Sequence, residues 1–275
     1  MIRTASTLEL AFAVRTDTGM LRRRNEDAVA VNPECGIAVL ADGMGGYNAG
    51  DVASRIAVAT VRAWLEKQLP VVARAGRSGA RQCRRALEEA VAQANRAICE
   101  AAQGNAHYSG MGTTLVTALF RHDKAVIAHV GDSRLYRWRD GGLRLLTRDH
   151  SLIQEQIDAG LIDPELARYS PRASLITRAL GVTQRIETEM SEHALGSGDI
   201  YLLCSDGLSD MLAADDIAGL LERHGDDLEE AADALVRQAN ANGGRDNISI
   251  VLVRIKSVPA ALSGGWLARL PRWMR

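Results

Sequence analysis

Ile37-Ala38-Val39-Leu40-Ala41-Asp42-Gly43-Met44-Gly45-Gly46 is the stretch on which the reading of this chain turns. An apolar strand carries Asp42 to its end, and the three glycines that follow let the backbone turn sharply and bring carbonyl oxygens close to whatever the carboxylate holds. The design recurs at Ala128-His129-Val130-Gly131-Asp132-Ser133-Arg134, where Asp132 falls at a hairpin, and at Tyr201-Leu202-Leu203-Cys204-Ser205-Asp206-Gly207. Gly243-Gly244-Arg245-Asp246-Asn247 sets a fourth aspartate just before the last strand. Taken singly, each is a turn or cap residue. Taken together, they could converge only at one end of a sheet or sandwich, where their charges would repel unless cations neutralised them. Oxygen-only ligation selects hard ions, Mg²⁺ or Mn²⁺, over Zn²⁺. Two such ions can hold a bridging water, lower its pKa and orient it for in-line attack on phosphorus.

Outward from that stretch, short runs rich in Val, Ile, Leu and Thr read as strands at 8–15, 28–32, 36–41, 113–121, 124–130, 134–138, 200–204 and 248–255. Most follow one another through short turns, which signals antiparallel pairing, and Asp140-Gly141-Gly142 is a hairpin turn. Apolar residues at helical spacing predict two long helices, at 51–69 and 79–102, joined by an Arg/Gly/Ser-rich break at 74–81. Two more are predicted at 215–223 and 228–240, with acidic residues in their opening turns. Strands, a helix pair, more strands and a second pair make an α+β fold with sheets covered by helices; regular βα alternation is absent.

The chain has 275 residues, enough for one large domain or two small ones without covalent staples. Its 33 Lys+Arg balance 34 Asp+Glu, which excludes a histone-like or polybasic binder. Aromatics are 4% of the residues, so aliphatic side chains and Ala must fill the core. Cys35, Cys83, Cys99 and Cys204 lack CxxC spacing, which argues against a zinc ribbon or a disulfide framework and fits a reducing cytoplasm. Residues 1–14 make no signal peptide, because Glu9 interrupts the apolar stretch and no cleavage site follows. No apolar run approaches the ~18 residues of a membrane span.

A further element is Arg22-Arg23-Arg24-Asn25-Glu26-Asp27, in a loop before a strand. Alone it is a solvated charge run. Beside a metal site, a guanidinium can grip phosphate oxygens bidentately, and Glu26 and Asp27 can accept hydrogen bonds from metal-bound waters.

With these motifs in order, the sequence resembles the metal-dependent Ser/Thr protein phosphatases of the PPM (type 2C) family in their compact bacterial form. The matching stretches are Arg22 with Asn25-Glu26-Asp27, Ala41 to Gly46, Gly110-Met111-Gly112-Thr113-Thr114, Gly131 to Arg134, Ser205-Asp206-Gly207 and Asp246-Asn247. In order and spacing they run from about residue 8 to residue 255. The resemblance implies a central β-sandwich of two antiparallel sheets flanked by pairs of α-helices, with the metals at one sheet edge. It implies two ions, Mn²⁺ or Mg²⁺, with Asp42 bridging them, the Gly43 carbonyl on the first, and Asp206 and Asp246 on the second. Asp132, with Asp206, matches the position of a third metal in bacterial relatives, and Arg22 matches the phosphate-binding arginine, leaving Arg23 and Arg24 ancillary. Residues 110–114 read as structural.

Asp42, Asp206 and Asp246 are thus the expected catalytic carboxylates. Some family members carry His where this chain has Met44, a candidate acid for the leaving alkoxide. Met cannot donate a proton, so a metal-bound water, at the third ion held by Asp132, is the expected source. None of the six histidines lies in a motif, and each reads as a surface or packing residue. Cys204 lies in an apolar strand without a phosphate loop, so a cysteine nucleophile is not expected.

Residues 150–175, with Gly160, Pro164 and Pro171, predict a short helix and an irregular excursion at the position of the family's flap. The phosphatase domain is therefore expected over 1–256. A basic amphipathic tail follows at 257–275, where Trp266, Leu270 and Trp273 lie on one face; it reads as self-docked or disordered, or as a contact for a partner or a membrane surface, and Pro271 weakens its helix. The expected function is hydrolysis of phosphoserine and phosphothreonine by direct attack of a metal-bridging hydroxide, in the cytoplasm, as a monomer, opposing a Ser/Thr kinase. A two-metal nuclease would need a basic groove, which the charge balance opposes. A silent binding module would be expected to have lost one of the carboxylates.

Overall fold

The computed structural model describes residues 8–45, 49–73, 79–163 and 175–259. Among the described residues, eleven strands make two antiparallel sheets. In one, β1 (Glu9–Asp17), β11 (Ile248–Ser257), β10 (Ile200–Cys204), β7 (Arg134–Arg139) and β8 (Gly142–Leu145) lie side by side in that order. The other runs β2 (Asp27–Asn32), β3 (Ile37–Met44), β5 (Leu115–Arg121), β6 (Lys124–Val130), β9 (Glu189–Ala194), with the two-residue β4 (Gly112–Thr113) on the end of β3.

Alternation along the strands builds three apolar layers. Ala38 and Leu40 of β3 face Leu203 of β10 and Val251 of β11 between the sheets, where Phe120 meets Tyr201 edge to face at 5.1 Å. Ile37, Val39 and Ala41 point the other way, onto α1 (Gly50–Ala73) and α2 (Gly79–Gly104). The outer face of the first sheet carries α5 (Ala214–His224) and α6 (Leu228–Ala241). The sandwich with a helix pair on each side is the expected architecture, filled mainly by aliphatic residues and Ala.

Several boundaries differ from the sequence reading. The run expected as one strand at 113–121 breaks at Thr114, which leaves the ladder to hold the backbone of β3. β9 was not expected, because Glu-Met-Ser-Glu-His-Ala lacks the apolar signal of a strand; it lies at a sheet edge, where polar side chains suit an exposed flank. The hairpin between β7 and β8 is as expected, with Asp140 at φ 51° and Gly141 at φ 79°, the left-handed pair that a tight two-residue turn requires. β11 continues to Ser257, one residue past the expected domain end. The flap supplies α3 (Leu152–Asp158), capped by Ser151, whose hydroxyl accepts from the Gln154 N–H. Residues 164–174 of the flap and residues 260–275 of the tail lie outside the described residues.

Candidate active site

Register brings the first carboxylates together. Asp27 of β2 pairs directly with Asp42 of β3, and Asp42 shares the inter-sheet parity of Ala38 and Leu40. Both carboxyls therefore emerge at one end of the sandwich, above its core. Asp42 does not end its strand, as the sequence suggested: Gly43 and Met44 continue the ladder by pairing with Thr113 and Gly112 of β4. A Cβ at Gly43 would collide with the Gly50 carbonyl at the start of α1, so only glycine lets the strand pass there.

Neutral side chains hold the Asp42 backbone. Thr113 Oγ1 donates to the Asp42 carbonyl at 2.8 Å, the Thr114 N–H donates to the same oxygen at 2.9 Å, and the Asp42 N–H donates to Thr114 Oγ1 at 3.0 Å. Thr114 Oγ1 lies 2.7 Å from Ser133 Oγ, next to Asp132. Within 110–114, which read as structural, the two threonines thus hold the strand that carries Asp42. The signal was the Thr-Thr pair itself, whose hydroxyls can hydrogen-bond to nearby backbone where a strand breaks.

Asp206 comes from the opposite sheet. It opens a four-residue helix, α4 (Asp206–Ser209), too short for a sequence period to announce. The preceding Ser205 donates to Asp27 Oδ2 at 2.9 Å, joining the two sheets at the site. Asp246 and Asn247 arrive just ahead of β11. Asn247 is 5% exposed and straps the arginine-bearing loop: its Nδ2 donates to the carbonyls of Thr18 and Arg24, each at 2.9 Å, and its Oδ1 accepts the Glu26 N–H at 2.8 Å. Asp132 follows Gly131, whose φ of 105° demands glycine at that hairpin.

These elements enclose a cleft of about 720 Å³ lined by Asp42, Gly43, Met44, Asp206 and Asp246, together with Glu26, Arg22 to Arg24 and Ile176 from the flap root. Asp27 and Asp132 are not among those lining residues, but their charges act on Asp42 and Asp206. Burial and repulsion from neighbouring carboxylates push up the pKa values of Asp42, Asp206, Asp27 and Asp132. Asp42 is driven well above the ordinary carboxyl range, by burial first and then by Asp27, Asp206, Asp132 and Asp246. Asp206 rises to about 8, by burial and then by Asp132, Asp210 and Asp246. Asp27 rises to about 6, through burial against the opposing bonds from Ser249 and Ser205. Asp132 also rises to about 6, through burial and then Asp149. Burial raises Glu26 as well, with Asp51 next.

Arg22 is the cation already among these groups. Its Nη2 lies 2.6 Å from Asp246 Oδ2, and its charge is also felt by Asp206 and Glu26. The expected phosphate-gripping residue is therefore at the cleft, but held on a carboxylate that it must share with any cation or phosphate that enters.

The donor set fits hard divalent cations. Asp206 Oδ1 and Asp27 Oδ1 are buried oxygens without a hydrogen-bond partner, a costly state for acceptors unless a cation satisfies them. All the converging side-chain donors are carboxylate oxygens. A second group, His129, His150 and Glu189, brings ligand atoms within 4.8 Å of one another. Its protons argue against a metal there. The Gly131 N–H donates to His150 Nδ1 at 3.1 Å, so the neutral ring carries its proton on Nε2, the nitrogen that faces Glu189 at 3.3 Å. His129 stacks on His150 at 4.8 Å, and burial lowers both pKa values. They are packing residues, as expected, and they tie the flap root to the Asp132 hairpin. Cys204 is buried with its thiol pushed up to about 12, which leaves it without nucleophilic character.

A family model described as protein phosphatase 2C matches residues 22–252. The serine/threonine phosphatase stp of Listeria welshimeri is 38% identical over 243 residues, covering 87% of this chain and 93% of that protein. The crystal structure of the Mycobacterium tuberculosis serine/threonine phosphatase PstP/Ppp superposes with a TM-score of 0.82 at 36% identity, covering 91% of this chain and 100% of that one. The catalytic domain of PstP in complex with two manganese ions gives a TM-score of 0.80 at 35% identity, with 91% and 100% covered. The carboxylate cluster, its neutral scaffold and the sandwich that presents them are thus found in a chain that belongs to the protein phosphatase 2C family.

Proposed function

We infer that this chain is a metal-dependent protein phosphatase that hydrolyses phosphoserine and phosphothreonine. The observation that carries this reading is the cluster of Asp42, Asp206 and Asp246 on the cleft wall, with buried acceptors left unsatisfied and the pKa values of Asp42 and Asp206 raised by burial first and then by the surrounding carboxylates. Asp42, the Gly43 carbonyl, Asp206 and Asp246 would hold two Mn²⁺ or Mg²⁺ ions, and Asp132 with Asp206 a third. When bound, such ions supply a water of lowered pKa and neutralise charge on the phosphoryl oxygens. Glu26 and Asp27 orient water by accepting hydrogen bonds from it. Arg22, released from Asp246, holds the phosphate, and Met44 contributes shape but no proton. Asp132 positions the group from which the leaving alkoxide takes its proton.

A nuclease is disfavoured because, among the described residues, the guanidiniums on the cleft are the three of one loop, and a strand-binding groove needs cations along its length. A silent module is disfavoured because every expected carboxylate is present and assembled. The cell context follows by chemistry: a Ser/Thr kinase must supply the substrate. The free cysteines suit a cytoplasmic site, and among the described residues no helix is long and apolar enough to cross a membrane. We place the phosphatase domain at 1–257, with the tail after it. Release of phosphate from a phosphothreonine peptide with Mn²⁺ tests the function: EDTA and Asp42→Asn should each abolish it. A protein inert with every divalent ion overturns the reading.

A further inference from the structure

We infer that Arg23 and Arg24 make this enzyme prefer substrates that carry a second anionic group, a carboxylate or another phosphate, within about two residues of the phosphate to be removed. The inference rests on the phosphatase reading and adds a substrate class to it.

Both residues line the cleft beside Arg22, and both are exposed. Arg22 is engaged with Asp246. Among the described residues, neither the Arg23 nor the Arg24 side chain makes a hydrogen bond or an ion pair, although most arginines near carboxylates here are committed: Arg15 to Glu229 and Asp233, Arg134 to Asp149, Arg139 to Asp199. Their backbone is nonetheless fixed. The Met20 N–H donates to the Gly244 carbonyl at 2.7 Å, and Asn247 pins the Thr18 and Arg24 carbonyls and the Glu26 N–H. Two guanidiniums with no hydrogen-bond partner among the described residues, Arg24 with its charge also felt by Glu26, are therefore displayed from a held loop, so binding an anion orders only side chains.

Charge balance points to the ligand. Glu26, Asp42, Asp206 and Asp246 oppose the three arginines on the cleft wall. Two divalent cations, when bound, offset those four carboxylates, and among the described lining residues the guanidiniums are then the unopposed charge. Successive residues of an extended chain advance about 3.5 Å, so with Arg22 on the scissile phosphate its neighbours reach groups one or two residues along the substrate. A guanidinium grips a carboxylate or a phosphate by the same bidentate geometry.

The test measures kcat/KM of the Mn²⁺-loaded enzyme on phosphothreonine peptides with Glu, phosphoserine or Gln two residues from the phosphothreonine, and with Glu six residues away. The expected preference for Glu at two over Gln is about fivefold at low salt, the scale of one exposed ion pair, and larger for phosphoserine. Glu at six should resemble Gln. R23A/R24A should bring the near-Glu ratio to about one, and R23E/R24E should invert it, with thermal unfolding confirming that each variant is folded. A ratio that survives R23E/R24E overturns the inference, as does equal preference for near and distant Glu, which would mark a general field. If no peptide is turned over, the Ser/Thr function fails separately. Fluorescence anisotropy of the same peptides then reads the inference: tighter near-Glu binding lost in R23E/R24E supports it, and equal binding overturns it.

Discussion

Asp206 offers a perturbation whose sign and size follow from the site. Its carboxyl sits at about 8 because burial and then Asp132, Asp210, Asp246 and Asp27 all oppose its charge. A carboxyl whose folded pKa exceeds its unfolded value binds more protons when folded. Its stabilising contribution is complete below the ordinary value of 3.8 and is lost as pH rises through about 8. Asp27 and Asp132, at about 6, act in the same direction over a narrower window. The buried histidines run the other way: with pKa values below 6.5, His129 and His150 give stability that is lost only as pH falls. Comparison with Asp206→Asn cancels what the two proteins share. Moving one buried carboxyl from 3.8 to about 8 corresponds to a differential of the order of 5 kcal/mol.

Without divalent ions, Asp206→Asn should therefore match wild type at pH 4 and exceed it progressively, by roughly 10 °C in Tm at pH 8.5, given a few degrees per kcal/mol for a chain of this size. Differential scanning calorimetry in EDTA is the assay. Mn²⁺ should raise the wild-type Tm and raise that of the variant much less, because an amide oxygen is a weaker ligand than a carboxylate. If the variant is no more stable than wild type at pH 8.5, Asp206 is not held against its neighbours' charge and the reasoning about the site fails.

Asn247→Ala removes three hydrogen bonds at a buried residue and should cost about 3 kcal/mol, read by urea unfolding, with a raised KM for phosphopeptide because the arginine loop loses its strap. Asp132→Ala should slow a phosphothreonine peptide far more than an activated aryl phosphate, whose leaving group needs little protonation; equal slowing would reject the assignment of Asp132 to the leaving-group proton. Truncation after Pro259, which keeps all of β11, should leave aryl phosphate turnover intact if the tail only addresses the enzyme to a partner or surface; its loss would make the tail part of the fold.

The apolar strands and amphipathic helices were legible because each buries a periodic face. The aspartates were legible because Asp42, Asp132 and Asp206 each follow an apolar run and adjoin a polar or glycine-rich turn, while Asp246 follows such a turn and precedes an apolar run. β9 was not, since Glu189-Met190-Ser191-Glu192-His193-Ala194 becomes a strand only by pairing with β6. The pairing of Asp27 with Asp42 was equally hidden, because register depends on which strands meet. The same holds for Arg22, whose partner Asp246 lies at the far end of the sequence.

The neutral residues explain how such a cluster can exist before a cation reaches it. Thr113 and Thr114 fix the Asp42 backbone, Asn247 fixes the loop before Asp27, and Ser205 bonds the Asp27 carboxyl. None of these bonds depends on the ionisation of Asp42, Asp206 or Asp246. The fold can therefore keep those three close enough to repel, with the cost offset by hydrogen bonds elsewhere in the same shell of residues. Relief of that repulsion is free energy available for binding divalent cations. A variant that loosens the scaffold, such as Thr114→Val, should therefore weaken Mn²⁺ binding although every carboxylate remains. Isothermal titration calorimetry would show this as a lower affinity with no change in the number of sites, whereas unchanged affinity would mean that the carboxylates hold their positions unaided.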